Sequence, residues 1–393
     1  LEIKQILFYL TSRNLFGPQT LMTSPIQSLI DRLRENPPRT DLLAFVGFDG
    51  YVDKIQKVVR AKSGTGSQYI DTISELAHLV HTLSGKSGQI ELVTEATKIG
   101  GNAPILAHAL ASLGIPNRCV GTLSDPIFEQ MHPGCERVSL GPPAESNALE
   151  FGDGKVIFSE VSVFERLRWS YVAEQIGLDA LRQQYTESQL LAFVDWANLP
   201  HGNDLWEGYL THIVQATPIA APPFFFFDLC DPTKRSAPDI QDALQIAARY
   251  APFGSVTLGM NENEARRIYL ALHGHSSANA TRLSQTPALT EIAAFIQQHT
   301  RIPTVLVHPT DCCLVATSDG VLQMAGRLVP TPKVLTGGGD NLNAGFCWGM
   351  LNGCSLTDCL LLGMATSGAY IQNGNSPTVP DIIAYLEVWR SEL

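Results

Sequence analysis

Residues 336–346, Thr-Gly-Gly-Gly-Asp-Asn-Leu-Asn-Ala-Gly-Phe, set three consecutive glycines directly before an acid. Beyond Asp340, apolar residues recur at Leu342, Phe346 and Met350, with Leu351 beside the last. That spacing is one face of a helix. Ala344, Gly345 and Gly349 keep another face small enough for close packing, and Gly353 suits the C-terminal stop. Gly337, Gly338 and Gly339 therefore deliver the chain to a helix N-terminus, where unpaired amides meet the positive end of the helix dipole. With no side chain in the way, such amides can approach an anion closely. Asp340, at the edge of that cradle, can take the proton of a hydroxyl as its oxygen attacks a phosphoryl group. The amides would stabilise the charge spread over the phosphoryl oxygens. A glycine-rich turn with Asp340 as an ordinary N-cap is the alternative that helix physics leaves open.

Two other phosphate motifs do not fit. A dinucleotide fingerprint counted from Gly337 meets Leu342 where its last glycine belongs, and Gly85-Lys86-Ser87 has Val80 where a Walker A loop requires its first glycine.

A helix that presents amides needs a frame. Six near-continuous apolar runs supply one: 42–48, 118–123, 190–199, 223–229, 255–260 and 304–309. Their character suits strands buried on both faces of a parallel sheet. Helical patterns lie between them. Residues 102–114 carry Pro104 near the start and Gly114 as a stop, and residues 355–374 open with Ser355 and Asp358 in capping-box spacing and close at Gly374. The alternation predicts an α/β fold, a doubly wound and mainly parallel sheet with helices on both faces. Residues 147–160 and 312–326 read instead as hairpins, turning at Gly152-Asp153-Gly154 and Ser318-Asp319-Gly320. The first hairpin, with residues 121–125 and the segment after Asp53, predicts a small β-sheet lid over a site at the strands' carboxyl ends.

The chain has 393 residues, 45% of them hydrophobic and 17% charged, with a formal net charge of −11. A large core fits that balance, and a nucleic-acid partner, which needs a basic face, does not. No apolar run reaches the length of a membrane span, about 18 residues. The eight cysteines form no C-x-x-C pair and most sit in apolar segments, as expected of free thiols in a reducing, cytoplasmic compartment. Met22 precedes Ser24 and Pro25, an N-cap followed by a first helical position. Residues 1–21 are therefore expected to lie outside a single folded domain spanning 22–393.

The 336–346 run resembles the T-G-A-G-D-x-F-N-A-G-F signature of the ribokinase-like (PfkB-type) carbohydrate kinases. Four further segments fall in that family's order over roughly residues 40–390 (counted about the motifs). Residues 47–53 resemble its first-strand motif, which ends in a sugar-binding aspartate. Residues 98–114 resemble its Gly-Gly motif, residues 231–235 its D-P-x-x-R segment, and residues 261–264 its N-x-x-E motif. The resemblance implies a Mg²⁺-dependent kinase that moves a phosphoryl group from ATP to a sugar or sugar-like small molecule. It implies Asp340 as base and Gly337, Gly338 and Gly339 as anion hole. Asp53, Asp49, Gly100, Gly101 and Asn102 would meet substrate hydroxyls. Asn261, Glu264, Thr336 and Asn343 would lie at the nucleotide, with Glu264 on Mg²⁺ through water and Asp231 as a further metal residue. Lid strands drawn from about 50–62 and 117–162 would offer an edge for a homodimer. A K⁺ requirement stays open.

The chain departs from the pattern in three places. Residues 307–316, at and after the last run, hold no glycine, which leaves ADP open as donor, and the stretch between Asp53 and Gly100 is long, with an extra helix expected over 67–80. Residues 195–208, rich in Trp, Asn and His, suit either a sugar wall or a packed loop. Asp228 and Asp231 suit either a magnesium site or a cap, Arg235 either donor phosphates or an ion pair, and Cys312-Cys313 either an oxidation switch or packing. His78 with His81, and His273 with His275, lack the third ligand that zinc needs. The rival functions are a nucleoside kinase, an ADP-dependent sugar kinase and a non-catalytic sugar sensor.

Overall fold

The computed structural model describes residues 18–35, 39, 41–64, 66–275, 287–334 and 336–393. The described strands are β1 (Ala44–Gly47), β2 (Tyr51–Ser63), β3 (Gly66–Tyr69), β4 (Leu92–Gly100), β5 (Asn117–Gly121), β6 (Cys135–Ser139), β7 (Ala144–Phe151), β8 (Gly154–Glu160), β9 (Leu190–Phe193), β10 (Phe224–Asp228), β11 (Ser255–Met260), β12 (Thr304–Val307), β13 (Cys312–Thr317) and β14 (Gly320–Ala325). They form two sheets. The larger has the order β14-β13-β12-β11-β10-β9-β1-β5-β6. From β6 to β12 every pairing is parallel, and β13 and β14 add an antiparallel hairpin at one edge.

All six apolar runs become strands of this sheet. The 223–229 run shows why they read as unbroken. Phe224 and Phe226 enter one buried cluster, with the Asn102–Ser112, Gly338–Leu351 and Leu356–Asn373 helices. Phe225 and Phe227 enter the other, with the Gly202–Tyr209 and Ala237–Ala248 helices. Both faces are covered, so no position needs to be polar. The chain goes from β1 outward to β5 and β6, then returns to the other side of β1 for β9, β10, β11 and β12. The switch between β1 and β9 opens a crevice at the strands' carboxyl ends.

The smaller sheet has the order β3-β2-β7-β8, with β4 also paired to β2. The 147–160 hairpin is here, as β7 and β8. The expected membership of this sheet needs correction. Residues 117–121 and 135–139, placed in the lid from the sequence, belong to the larger sheet beside β1, and residues 122–125 follow β5. In their place the smaller sheet takes β3 and β4. A short run such as 117–121 fits either sheet, and only the parallel register with β1 decides. The extra helix is shorter than expected, Ile73–Thr82 capped by Thr72, because residues 66–69 pair with β2.

The N-terminal expectation also changes. A helix runs Pro18–Glu35 with Pro25 inside it, so Ser24 is not an N-cap. Ile26, Leu29, Ile30 and Leu33 bury one face in the core, and that packing outweighs the local signal. Residues 18–21 are therefore helical, and residues 1–17 lie outside those described.

The glycine-bearing Gly338–Leu351 helix packs closely on Leu356–Asn373. A Cβ at Gly345 would lie 2.3 Å from Thr366 Oγ1 and 2.6 Å from the Leu362 carbonyl oxygen. Alanine gains about 1 kcal/mol of helix propensity there, but the carbonyl oxygen is backbone and cannot swing aside. Overpacking of this kind costs about 1–3 kcal/mol. Gly345→Ala is expected to lower the urea midpoint without changing the slope of the unfolding transition.

Candidate active site

Polar residues end each strand around the crevice. Asp49 lies two residues beyond β1, and Asp195 two beyond β9. Asp228 is the last residue of β10, Asn261 follows β11, and His308 follows β12. Asp49 and Asp195 are fully buried, as Asp228 and Glu264 nearly are.

Two helix N-termini meet these carboxylates. The Asn102–Ser112 helix begins after Gly101, held at φ 99. Its first amides point at Asp49: Asn102 N–H donates to Oδ2 at 2.7 Å and Ala103 N–H to Oδ1 at 2.8 Å. A Cβ at Gly101 would come within 2.6 Å of Asp49 Oδ2, so the approach depends on glycine. The second helix starts at Gly338, after Gly337 at φ 87. Its first intrahelical bond runs from Asn341 N–H to the Gly337 carbonyl. The amides of Gly338, Gly339 and Asp340 precede that bond and are the unpaired donors of the first turn. The two N-termini touch through Asn102, whose Nδ2 donates to Asp340 Oδ1 at 3.1 Å.

Charge is crowded here. Desolvation raises the Asp340 carboxyl well above its usual range, and Asp228, Asp49 and Asp195 add to the rise, against the Asn102 bond. Burial likewise pushes Asp49 up to about 7, opposed by the two amides it accepts. Asp53 on β2 is pushed to about 6 by burial, opposed by Lys155 and Ser146. Gly100 makes room for it, since a Cβ there would lie 2.3 Å from Asp53 Oδ1.

Deeper along the crevice Asn261 caps the Glu262–Leu272 helix in a reciprocal capping box with Glu264. Asn261 N–H and Nδ2 donate to the two Glu264 oxygens at 2.8 and 2.7 Å. Burial pushes Glu264 up to about 8, and Asp228 adds to that rise. Asn343 Nδ2 donates to Asp228 Oδ2 at 2.9 Å, and its buried Oδ1 finds no partner among the described residues. Thr336 stands at the rim, its carbonyl accepting from Tyr370 Oη at 2.8 Å.

The prokaryotic ketohexokinase family matches residues 28–389. The chain belongs to that family. A ketohexokinase of Haloferax volcanii is 26% identical over 366 residues, covering 90% of this chain and 94% of the relative. Solved ribokinases share the fold. The Thermotoga maritima enzyme matches with a TM-score of 0.58 at 15% identity, over 88% of this chain and 99% of its own. The Arabidopsis thaliana enzyme, complexed with ribose and ATP, matches with a TM-score of 0.57 at 15% identity, over 88% and 97%. The chain is a carbohydrate kinase of the ribokinase-like (PfkB-type) superfamily.

Against this family background the expected site residues fall into groups. Asp49, Gly101, Asn102 and the Gly337–Asp340 turn come together, and Asn261, Glu264 and Asn343 gather around Asp228. Asp231 does something else: it is exposed, caps the short turn at Thr233 with a 3.0 Å bond and faces Arg267 at 3.8 Å. Arg235 lies over the Trp196 ring at 4.2 Å and donates to the carbonyls of Leu199 and Pro200. Trp196 and Trp206 are fully buried, so residues 195–208 pack into the core, as a short 3-10 turn over Trp196–Asn198 and the start of the Gly202–Tyr209 helix. The two histidine pairs are exposed, Cys313 is buried, and all eight cysteines are free. No described helix is long and apolar enough to cross a membrane.

Sequence reasoning missed Asp195, which accepts from Tyr51 Oη at 3.2 Å and Asn198 Nδ2 at 2.6 Å and holds a left-handed backbone at φ 58. Its position as the one acid within the apolar run 190–199 was the available signal.

The Asp49 carboxyl has a sign consequence. Its folded value lies above the ordinary 3.8, so its contribution is fully present below that value and is lost as pH rises through about 7. Asp53 and Asp228, each near 6, act in the same direction. The melting temperature should fall from pH 5 to pH 8. Asp49→Asn should show a lower melting temperature at pH 5, where an amide replaces one acceptor, and a shallower fall. A parallel, unchanged slope in thermal melts would contradict the assignment.

Proposed function

We propose that this carbohydrate kinase transfers the γ-phosphoryl group of ATP to a hydroxyl of a ketohexose, with Asp340 as base. The observation that carries the reading is the 3.1 Å bond from Asn102 to Asp340, which joins the substrate-facing Gly-Gly helix to the glycine cradle. The ketohexose class comes from the family and from the Haloferax volcanii relative.

The steps follow from the chain's own groups. Asp53, Asn102 and the Gly100–Gly101 backbone hold vicinal hydroxyls, for which carboxylate and amide groups supply paired acceptors and donors. A carboxylate whose pKa has been raised is a stronger base than one in water, and Asp340 is such a group. It takes the hydroxyl proton as the oxygen forms its bond to the γ-phosphorus. The bond to the bridging oxygen breaks and its electron pair leaves with ADP. The Gly337, Gly338 and Gly339 amides stabilise the phosphoryl oxygens during that exchange. Side chains would obstruct the cradle: a Cβ at Gly337 would lie 2.8 Å from Tyr370 Oη, and one at Gly339 3.3 Å from the His308 ring.

Asp228, Glu264 and Asn343 fit a magnesium ion held largely through water. Two buried carboxyl groups, of which Asp228 raises Glu264, beside an unpartnered amide oxygen are a donor set of the kind such an ion uses with substrate phosphates. When bound, the ion would neutralise charge on the donor's phosphates.

Asp340→Asn should lower kcat by about 10²–10⁴-fold in an ADP-release assay with ATP, Mg²⁺ and a ketohexose. The same sugar should still raise the variant's melting temperature. Undiminished turnover in the variant, or wild-type turnover confined to nucleosides, would sink the proposal.

A further inference from the structure

The site gathers acidic groups before any substrate enters. Asp49, Asp53, Asp195, Asp228, Glu264 and Asp340 surround the crevice, and phosphoryl transfer brings more. Arg235, for which the sequence left donor phosphates or an ion pair open, lies over Trp196, donates to two backbone carbonyls and faces Asp239 at 4.0 Å. Any protein cation for the transferring group therefore comes from another element.

The smaller sheet brings one. The β7–β8 hairpin turns at Gly152-Asp153, and Lys155 follows at once on β8. Its Nζ reaches across to the larger half of the molecule and donates to Thr336 Oγ1. Thr336 is the residue immediately before Gly337, and Tyr370 pins its carbonyl. The Lys155 charge also faces Asp53, the sugar-side carboxylate. Lys155 thus lies between the substrate-holding strand and the glycine cradle. Its hydroxyl partner is neutral, and an anionic oxygen would add the attraction of opposite charges that a hydroxyl does not offer.

We propose that Lys155 is a catalytic residue, delivered by the smaller sheet, whose ammonium leaves the Thr336 hydroxyl for an oxygen of the transferring phosphoryl group. The proposal rests on the kinase reading given above. It explains why a hairpin more than a hundred and fifty residues away in sequence (separation 181) contacts the cradle at all. It also makes chemistry depend on the smaller sheet being in place. An ammonium that stabilises charge mainly in the transition state acts on kcat more than on substrate binding.

The test compares wild type, Lys155→Met and Lys155→Arg in the ketohexose assay, with kcat and both KM values measured separately. Lys155→Met should lose about 100-fold in kcat, with the ketohexose KM shifted by less than about threefold. Lys155→Arg should recover at least about tenfold of that loss, since it restores the charge. Lys155 is an exposed residue, so melting temperatures should match wild type and separate a chemical role from a structural one. A Met variant that keeps kcat, or one that loses only ketohexose KM, overturns the proposal while leaving the kinase reading standing. A wild-type protein that turns over no ketohexose with ATP defeats the kinase reading itself, and this proposal with it.

Discussion

A carboxylate taken out of water must be met by donors or give up its charge. That constraint organises the carboxyl edge of the larger sheet. Asp49 is fully buried and would be untenable as a charge without the two amides at the start of the Asn102–Ser112 helix. The helix in turn has orphan donors that need an acceptor. Each feature satisfies the other. Asn102, fixed by this arrangement, then holds Asp340 at the start of the second helix. Remove the first bond and the geometry of the proposed base goes with it.

The same crowding has an electrostatic result. Asp340, Asp49, Asp228 and Glu264 all hold protons more tightly than free carboxyls, chiefly through burial, and the first two and Glu264 are raised further by Asp228. A site so poised favours ligands that bring protons to accept or cations to share. A polyol supplies the first. Magnesium with a nucleotide, and an ammonium from the smaller sheet, would supply the second. The proposed proton acceptance, metal affinity and reach of Lys155 would all follow from one concentration of buried acidic groups.

The smaller sheet is built to bear on that edge. β2 leaves β1 through Phe48, Asp49 and Gly50, and it pairs with β4, which runs directly into Gly100 and Gly101. A shift of this sheet therefore moves Asp53 on β2, the Gly-Gly turn and, through β8, Lys155 together. Closure of such an element over bound substrates excludes water and suppresses hydrolysis of a phosphoryl donor.

Much of this was legible in the sequence because the signals are local. Helix stops at Gly114 and Gly374, the cap at Ser355 and the glycine run before Asp340 each depend on residues within a few positions of one another. The alternation of buried strands with helices predicts the doubly wound sheet for the same reason, since both faces of each strand are read from its own composition. The motif order carries the kinase family, and the match over residues 28–389 agrees. Tertiary structure alone decided what depends on separate parts of the chain meeting. Asn117–Gly121 joined the larger sheet by its register with β1, and Pro25 was carried inside a helix by the core beneath it. Asp231 and Arg235, equally well suited to ligands by type, were taken up by a cap and by a tryptophan face. Asp195 and Lys155 came to the site from segments with no motif of their own. A residue's type states what chemistry it can do, but its burial and its partners are set by chain segments far away in sequence, and these decide whether it does it.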